Sequence, residues 1–257
     1  MKTSTMESSL ASQKPMDESH TKMADSAWKP LYSIGAVAAL IMVVFIVIEI
    51  PIYLAWPPPS TVIGYFTLFQ NNRLLGLLNL DLLLMLSNAL LVLMYLALYA
   101  ALRRASPSFM AIALTLGLVG IAAYFASNTT FEMLSLSDQY AAATTDAQRS
   151  TFEASGQAML AIYQGTAFDV YYVLGAVATL IISVVMLRST LFSKGTASMG
   201  IVTGVLMLVP STAGTIGLYL SLLSLVPFAI WSVLIARRLF MLAQGGSKEE
   251  AQQPAVA

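Results

Sequence analysis

The chain has 257 residues, 58% of them hydrophobic and only 10% charged, where an ordinary soluble domain carries roughly 25% charged residues. Thirteen basic residues balance thirteen acidic ones, which gives neither a basic patch for nucleic acid nor an acidic tail for basic partners. Cysteine is absent, which excludes a disulfide framework, a cysteine-ligated zinc and a cysteine nucleophile.

Residues 1–30 mix Lys2, Lys14, Lys22 and Lys29 with Glu7, Asp17, Glu18 and Asp25, and lack an apolar core followed by a small-residue cleavage site. They read as a disordered, solvated tail rather than a signal peptide. A bilayer core about 30 Å thick takes roughly 20 mostly apolar residues of helix. The first stretch of that kind is 31–54, bracketed by Trp28, Tyr32, Tyr53 and Trp56 as an aromatic belt. After the prolines at 57–59, Val62, Ile63, Tyr65, Phe66 and Phe69 predict a short interfacial helix over 61–70. Spans follow at 74–102 and 109–131, joined by a short loop that makes them antiparallel neighbours.

Thr145 and Gln148 form a capping-box signature, with Phe152, Met159 and Tyr163 at helical spacing behind it. That helix is expected to lie on the outer surface or to extend the fourth span, 169–187. A second short loop leads to a weaker candidate, 196–214, in which Gly200 and Gly204 allow close helix approach and Pro210 and the Gly214–Gly217 stretch impose a turn. The last span, 218–240, holds Pro227, expected to kink it. Residues 243–257 read as a second disordered tail, leaving 31–242 as the membrane domain.

Sidedness argues for counting 196–214. With six spans and a cytoplasmic N-terminus, eleven of the thirteen basic residues fall inside and only Arg73 and Arg149 outside, as the positive-inside rule expects. Five spans would export Arg237 and Arg238. The expected fold is therefore all-α, a polytopic transmembrane helical bundle of six spans in the cell membrane, with both termini cytoplasmic.

Four carboxylates, Glu49, Asp81, Glu132 and Asp169, then lie in or at the edge of the spans, all toward the outer side. Charged groups in hydrocarbon cost about 2.5–3.5 kcal/mol each on insertion scales, so they usually face a partner, water or the bundle interior. Asp81, Asn88 and Tyr95 recur every seven residues and share a helix face, while Tyr124, Asn128 and Glu132 recur every four. Asp169, Tyr172, Thr179 and Ser183 continue the pattern on the fourth span, and Arg73 is the candidate counter-ion. The candidate ligand- or cation-binding set is Glu49, Asp81, Asn88, Asn128, Glu132, Asp169 and Arg73. The competing reading is that these groups only lock helices together.

Catalytic motifs are scarce. His20, the only histidine, lies in the N-terminal tail, so neither a His-Glu-x-x-His zinc site nor Ser-His catalysis can be built. Gly-rich phosphate loops and Gly-x-Ser-x-Gly are absent. An aspartate pair, Asp81 with Asp169, is the one remaining hydrolytic arrangement.

The runs "PPPSTVIGYF", "LLGLLNLDLLLMLSNALL", "LALYAALRR", "FEMLSLSDQYAAATTDAQRSTFEASGQAMLAIYQGTAF", "LIISVVMLRSTLFSK" and "PFAIWSVLIARRLF" resemble the prokaryotic membrane proteins grouped as domain of unknown function 4386. The resemblance implies a multi-span membrane protein of a bacterium or archaeon, and no reaction, ligand or functional residue. The expected partner is the lipid bilayer, with no nucleic acid and no cofactor; nothing in the sequence supports oligomerisation or identifies protein partners. A structural, accessory or sensory membrane protein is the leading reading. The alternative is a small transporter or cation- or proton-linked binding protein using the outward-facing carboxylates. An intramembrane hydrolase ranks third, and no internal repeat of the transporter kind is visible.

Overall fold

A computed structural model describes residues 27–250, with side chains to 245. The described residues form ten helices and no strand: α1 Lys29–Ala55, α2 Val62–Asn71, α3 Arg73–Asn79, α4 Leu82–Leu102, α5 Pro107–Ser127, α6 Thr130–Ala142, α7 Asp146–Tyr163, α8 Thr166–Arg188, α9 Lys194–Leu206 and α10 Gly214–Glu250. Among them, five helical runs are long and apolar enough to cross a membrane: Lys29–Ala55, Leu82–Leu102, Pro107–Ala142, Asp146–Arg188 and Gly214–Gly245.

Six helices close into a ring. α1 packs on α4, α4 on α5, α5 on α8, α8 on α9, α9 on α10, and α10 returns to α1. Neighbours α4 and α5, and α8 and α9, are joined by the short loops expected of antiparallel pairs. Inside one half of the ring lies a dry core containing Met42, Leu98, Leu102, Met186, Trp231, Ile235 and Leu239. The aliphatic surfaces turned outward, such as Val47, Val119 and Leu223, are exposed, which is the pattern of a bundle solvated by acyl chains rather than water.

Small residues set the tightest crossings. A Cβ at Gly200 of α9 would stand 2.6 Å from the Trp231 Nε1 of α10 and would run into Ser183 Oγ of α8. At Gly204 it would come within 2.6 Å of Leu180 on α8. The pair spaced four residues apart therefore lets three backbones meet, as the small-xxx-small pattern predicts.

α2, α3, α6 and α7 cap the other half of the ring. Thr61 caps α2 by accepting from Gly64 N, and Val62, Tyr65, Phe66 and Phe69 turn inward. α7 starts on the expected capping box, Thr145 with Gln148. Its Gly156 lies against Val62 and Phe66, so α7 rests on α2. α7 then turns at Gln164 and Gly165 directly into α8, extending the fourth span as well as lying across the cap.

Several boundaries depart from the sequence expectation. The apolar run 74–102 is two helices, α3 and α4, because the chain breaks at Leu80 and Asp81. The run 109–131 is likewise divided, since Asn128 takes an extended conformation after α5. The fifth candidate, 196–214, yields a helix only from Lys194 to Leu206; Pro210 then accepts from Ala213 N in a turn completed by Gly214 at φ +70°. α10 begins earlier than expected, at Gly214, and runs to Glu250, past the anticipated end of the membrane domain. The tail expectation for 1–26 and 251–257 lies outside the described residues.

Candidate functional site

The break before α4 is the local origin of the site. Asn72 caps α3 by accepting from Leu75 N at 3.0 Å, and Phe69 presses on Gly76, where no side chain would fit. The helix then stops. Asp81 sits at φ 65°, ψ 32°, the one described non-glycine residue with positive φ. Aspartate tolerates that conformation better than most residues, at a cost on the order of 1–2 kcal/mol.

Breaking a helix frees carbonyls, and the α5–α6 junction satisfies them. Thr130 Oγ1 donates to Leu80 O, Asn128 Nδ2 donates to the same oxygen at 3.4 Å, and the Tyr124 hydroxyl donates to Asp81 O at 3.3 Å. Asn128 in turn fixes the next helix by accepting from Thr130 N at 3.2 Å. Thus the stripe expected from Tyr124 and Asn128 exists, and its work is to hold the break in α3–α4. Glu132 is not part of it: the extended Asn128 rotates the following helix, and Glu132 is exposed.

The Asp81 carboxylate is buried, with 7% of the residue exposed. The Tyr53 hydroxyl of α1 donates to its Oδ1 at 2.6 Å, and the Tyr163 hydroxyl of α7 donates to Oδ2. Tyr53 also lies within hydrogen-bond reach of Glu49, one turn earlier on α1. On the cap, burial followed by the Asp81 charge pushes the Tyr65 phenol up to about 12, so it stays neutral at any physiological pH.

These groups line a chamber of about 970 Å³ between the ring and its cap, near the upper end of the range for small-molecule sites. Asn79, Asn88, Tyr95, Phe168, Tyr171 and Tyr172 share its wall with Asp81, Glu49 and Tyr163, while Thr212, Thr215, Leu218 and Leu222 come from the start of α10 and the turn before it. Among the described residues that line it, none is lysine, arginine or histidine. Asn88 Nδ2 donates to Leu84 O at 3.0 Å and to the Tyr171 hydroxyl at 3.4 Å, leaving its Oδ1 buried with no partner; Asn79 Oδ1 is in the same state. Buried acceptors without donors are costly and uncommon. The chamber wall therefore holds two carboxyl groups and two amides with buried, unpartnered oxygens.

Of the predicted set, the structure brings together Glu49, Asp81 and Asn88, with Tyr95 on the expected face. Asn128 stands behind the wall. Asp169 accepts a bond from Thr212 Oγ1, a residue at the chamber's rim, and shares no partner with Asp81. Arg73 is not the counter-ion of the spans: it is exposed on the cap and pairs with Asp138 at 2.9 Å. The Asp81–Asp169 hydrolytic pair thus has no geometric support.

Tyr53, Tyr163 and Asn79 were not among the candidates. Tyr53 reads from sequence as a belt residue, yet its position four after Glu49 places both on one helix face, and that spacing was the available signal. Nothing local marks Tyr163 as a ligand of Asp81. Among the described residues there is no group of three or more His, Cys, Asp or Glu side chains placed to hold a metal ion.

A family model described as "Domain of unknown function (DUF4386)" matches residues 31–245. No curated protein and no solved structure matches the chain.

Proposed function

Because the chain belongs to the DUF4386 family, whose description carries no activity, we propose from the site alone that it is a ligand-binding membrane protein whose capped chamber accepts a positively charged ligand. It works as a small transporter or sensor, and no residue is assigned a catalytic role. The observation that carries this reading is the composition of one wall. Two carboxyl side chains, Asp81 and Glu49, and two amide side chains, Asn79 and Asn88, whose oxygens are buried without a partner, belong to the wall of a cavity lined by aromatic rings and by no basic side chain. Carboxylates at depth require a compensating charge or proton, and aromatic faces add attraction for a cation. Helix locking accounts well for Tyr124, Asn128 and Thr130, but it leaves the two amide oxygens without a task.

Purified full-length protein should be stabilised against heat by millimolar tetramethylammonium chloride relative to matched sodium chloride. Glu49→Gln should abolish most of that shift while leaving the unliganded midpoint within a few degrees. Equal shifts in wild type and Glu49→Gln would remove the chamber from consideration as a cation site.

In the same reading the ring is six spans in the cell membrane, with both termini cytoplasmic. α9 makes the sixth crossing with the turn that follows it. Supporting this, Lys29, Arg103, Arg104, Arg188, Lys194, Arg237 and Arg238 gather at the end of the ring away from the chamber, whereas Arg73 and Arg149 are the described basic residues at the capped end. That asymmetry orients the basic end inward. The chain has no native cysteine, so single replacements report sidedness cleanly. Ser150→Cys, on α7, should react with an impermeant maleimide on intact cells, and Thr190→Cys, between α8 and α9, only after permeabilisation. The reverse pattern would invert the topology and place the chamber on the cytoplasmic side.

A further inference from the structure

The mouth of the chamber is edged by side chains that belong to its wall and are also exposed. Ile50 and Leu54 stand near the end of α1, and Leu218 and Leu222 near the start of α10. All four are aliphatic, and both helices are long and apolar enough to cross a membrane. At their other ends these helices share the dry core, where Ala39 and Met42 of α1 and Trp231, Ile235 and Leu239 of α10 are fully or almost fully buried. Toward the chamber each carries a proline, Pro51 in α1 and Pro227 in α10. Each proline deletes one helical hydrogen bond and loosens the ladder there. The two helices are thus packed tightly on one side of the membrane, and on the other their exposed aliphatic side chains belong to the chamber wall.

The wall combines three kinds of side chain. Exposed aliphatic side chains, the aromatic rings of Phe168, Tyr171, Tyr172 and Phe228, and the carboxyl groups of Asp81 and Glu49 all belong to it, with the amide side chains of Asn79 and Asn88. A small hydrated cation would gain nothing from the aliphatic mouth. A neutral lipid would leave Asp81 and Glu49 to be neutralised by protons alone. A molecule with a cationic head and one alkyl chain matches both.

Resting on the reading of the chamber as a cation-accepting site, we infer that its ligand is a single-chain amphiphilic amine or quaternary ammonium taken up sideways between α1 and α10. Its head lodges by Asp81 and Glu49, and its chain lies along Leu218 and Leu222 toward the bilayer. Asp81 and Glu49 select the sign of the charge, and the α1–α10 gap selects the chain.

The test uses the full-length chain held in an amphipathic polymer, with binding corrected for uptake by the polymer alone. Tetramethylammonium and the butyl, hexyl, octyl and decyl trimethylammonium homologues are titrated, with octyl sulfate as the reversed charge. Affinity should rise about threefold to fourfold per added methylene, as burial of apolar surface dictates. Glu49→Gln and Asp81→Asn should weaken every homologue by a similar factor, about 30-fold for a buried charge partner. Leu218→Trp, which narrows the mouth, should weaken the octyl and decyl homologues about tenfold through overpacking and leave tetramethylammonium unchanged. Octyl sulfate should not bind. Affinity independent of chain length, with the carboxylate dependence retained, would overturn the amphiphile inference and leave the cation chamber standing. Loss of all cation binding, or equal binding of octyl sulfate, would overturn both.

Discussion

Asp81→Ala should destabilise the protein by about 3 kcal/mol, and the order of the three replacements Asn, Gly and Ala carries the mechanistic information. Alanine at φ 65° loses roughly 1 kcal/mol because its Cβ is crowded in the left-handed region and it has no polar group to compensate. It also removes the acceptor of two phenols, Tyr53 and Tyr163, each of which costs about 1–3 kcal/mol when left unpaired in a buried site. Relief of the desolvated charge offsets part of that sum. Asn keeps the backbone preference and one carbonyl acceptor, so it should cost about 1 kcal/mol or less. Gly relieves the backbone but strands both phenols and should fall between. Thermal unfolding in detergent, followed by circular dichroism, gives the order directly. If Ala and Asn prove equally mild, neither the strained turn nor the phenol pair matters to the fold.

The second large effect belongs to the opposite half of the ring. Gly200→Ala should cost about 1–3 kcal/mol, the usual penalty for forcing extra carbon into a packed core, because the new methyl would displace Trp231 and Ser183 together. Trp231 is fully buried and cannot swing into solvent. Gly200→Leu should prevent the three helices from meeting and abolish folded protein. Gly175→Ala on α8 is the matched control: nothing lies within 4 Å of its added carbon, so the better helix propensity of alanine should leave stability equal or improved by about 0.5–1 kcal/mol. Denaturant titration of the three variants separates the two predictions. Equal loss at Gly175 and Gly200 would mean that glycine matters here for flexibility rather than for close approach.

Much of the architecture is legible from periodicity and punctuation. The spans beginning at α1 and α8, the short helix after Thr61 and the capping box at Thr145 all follow from apolar length and local polar pairs, and such signals are carried within a few residues. The face shared by Asn88 and Tyr95, with Asp81 at its head, is legible because α4 is regular over that interval. The break just before it is not. Leucines on both sides of Asp81 make hydropathy continuous across it, and the groups that stabilise the freed carbonyls, Tyr124, Asn128 and Thr130, come from elsewhere in the chain. The same cause displaces Glu132: a four-residue repeat predicts a shared face only while the helix persists, and Asn128 ends it. Arg73 was drawn toward the spans by its sign alone, whereas Asp138 on α6 lies nearer to it. The phenols of Tyr53 and Tyr163 were hidden by their ordinary roles, one as a boundary aromatic and the other as an apolar position of an amphipathic helix.

The ring has a seam, and the seam joins the earliest-made helix to the latest. At ribosomal rates of about 5–20 residues per second, α10 follows α1 after a delay on the order of ten seconds. During that interval the chamber lacks the part of its wall that Thr215, Leu218 and Leu222 of α10 supply. Until α10 arrives, the carboxyl groups of Glu49 and Asp81 stand in an incomplete chamber, and an ionisable group in contact with lipid is costly. The vulnerable moment in the life of this protein is thus its own completion, and substitutions early in α10 should lower yield in cells more than they lower the stability of molecules that have already closed.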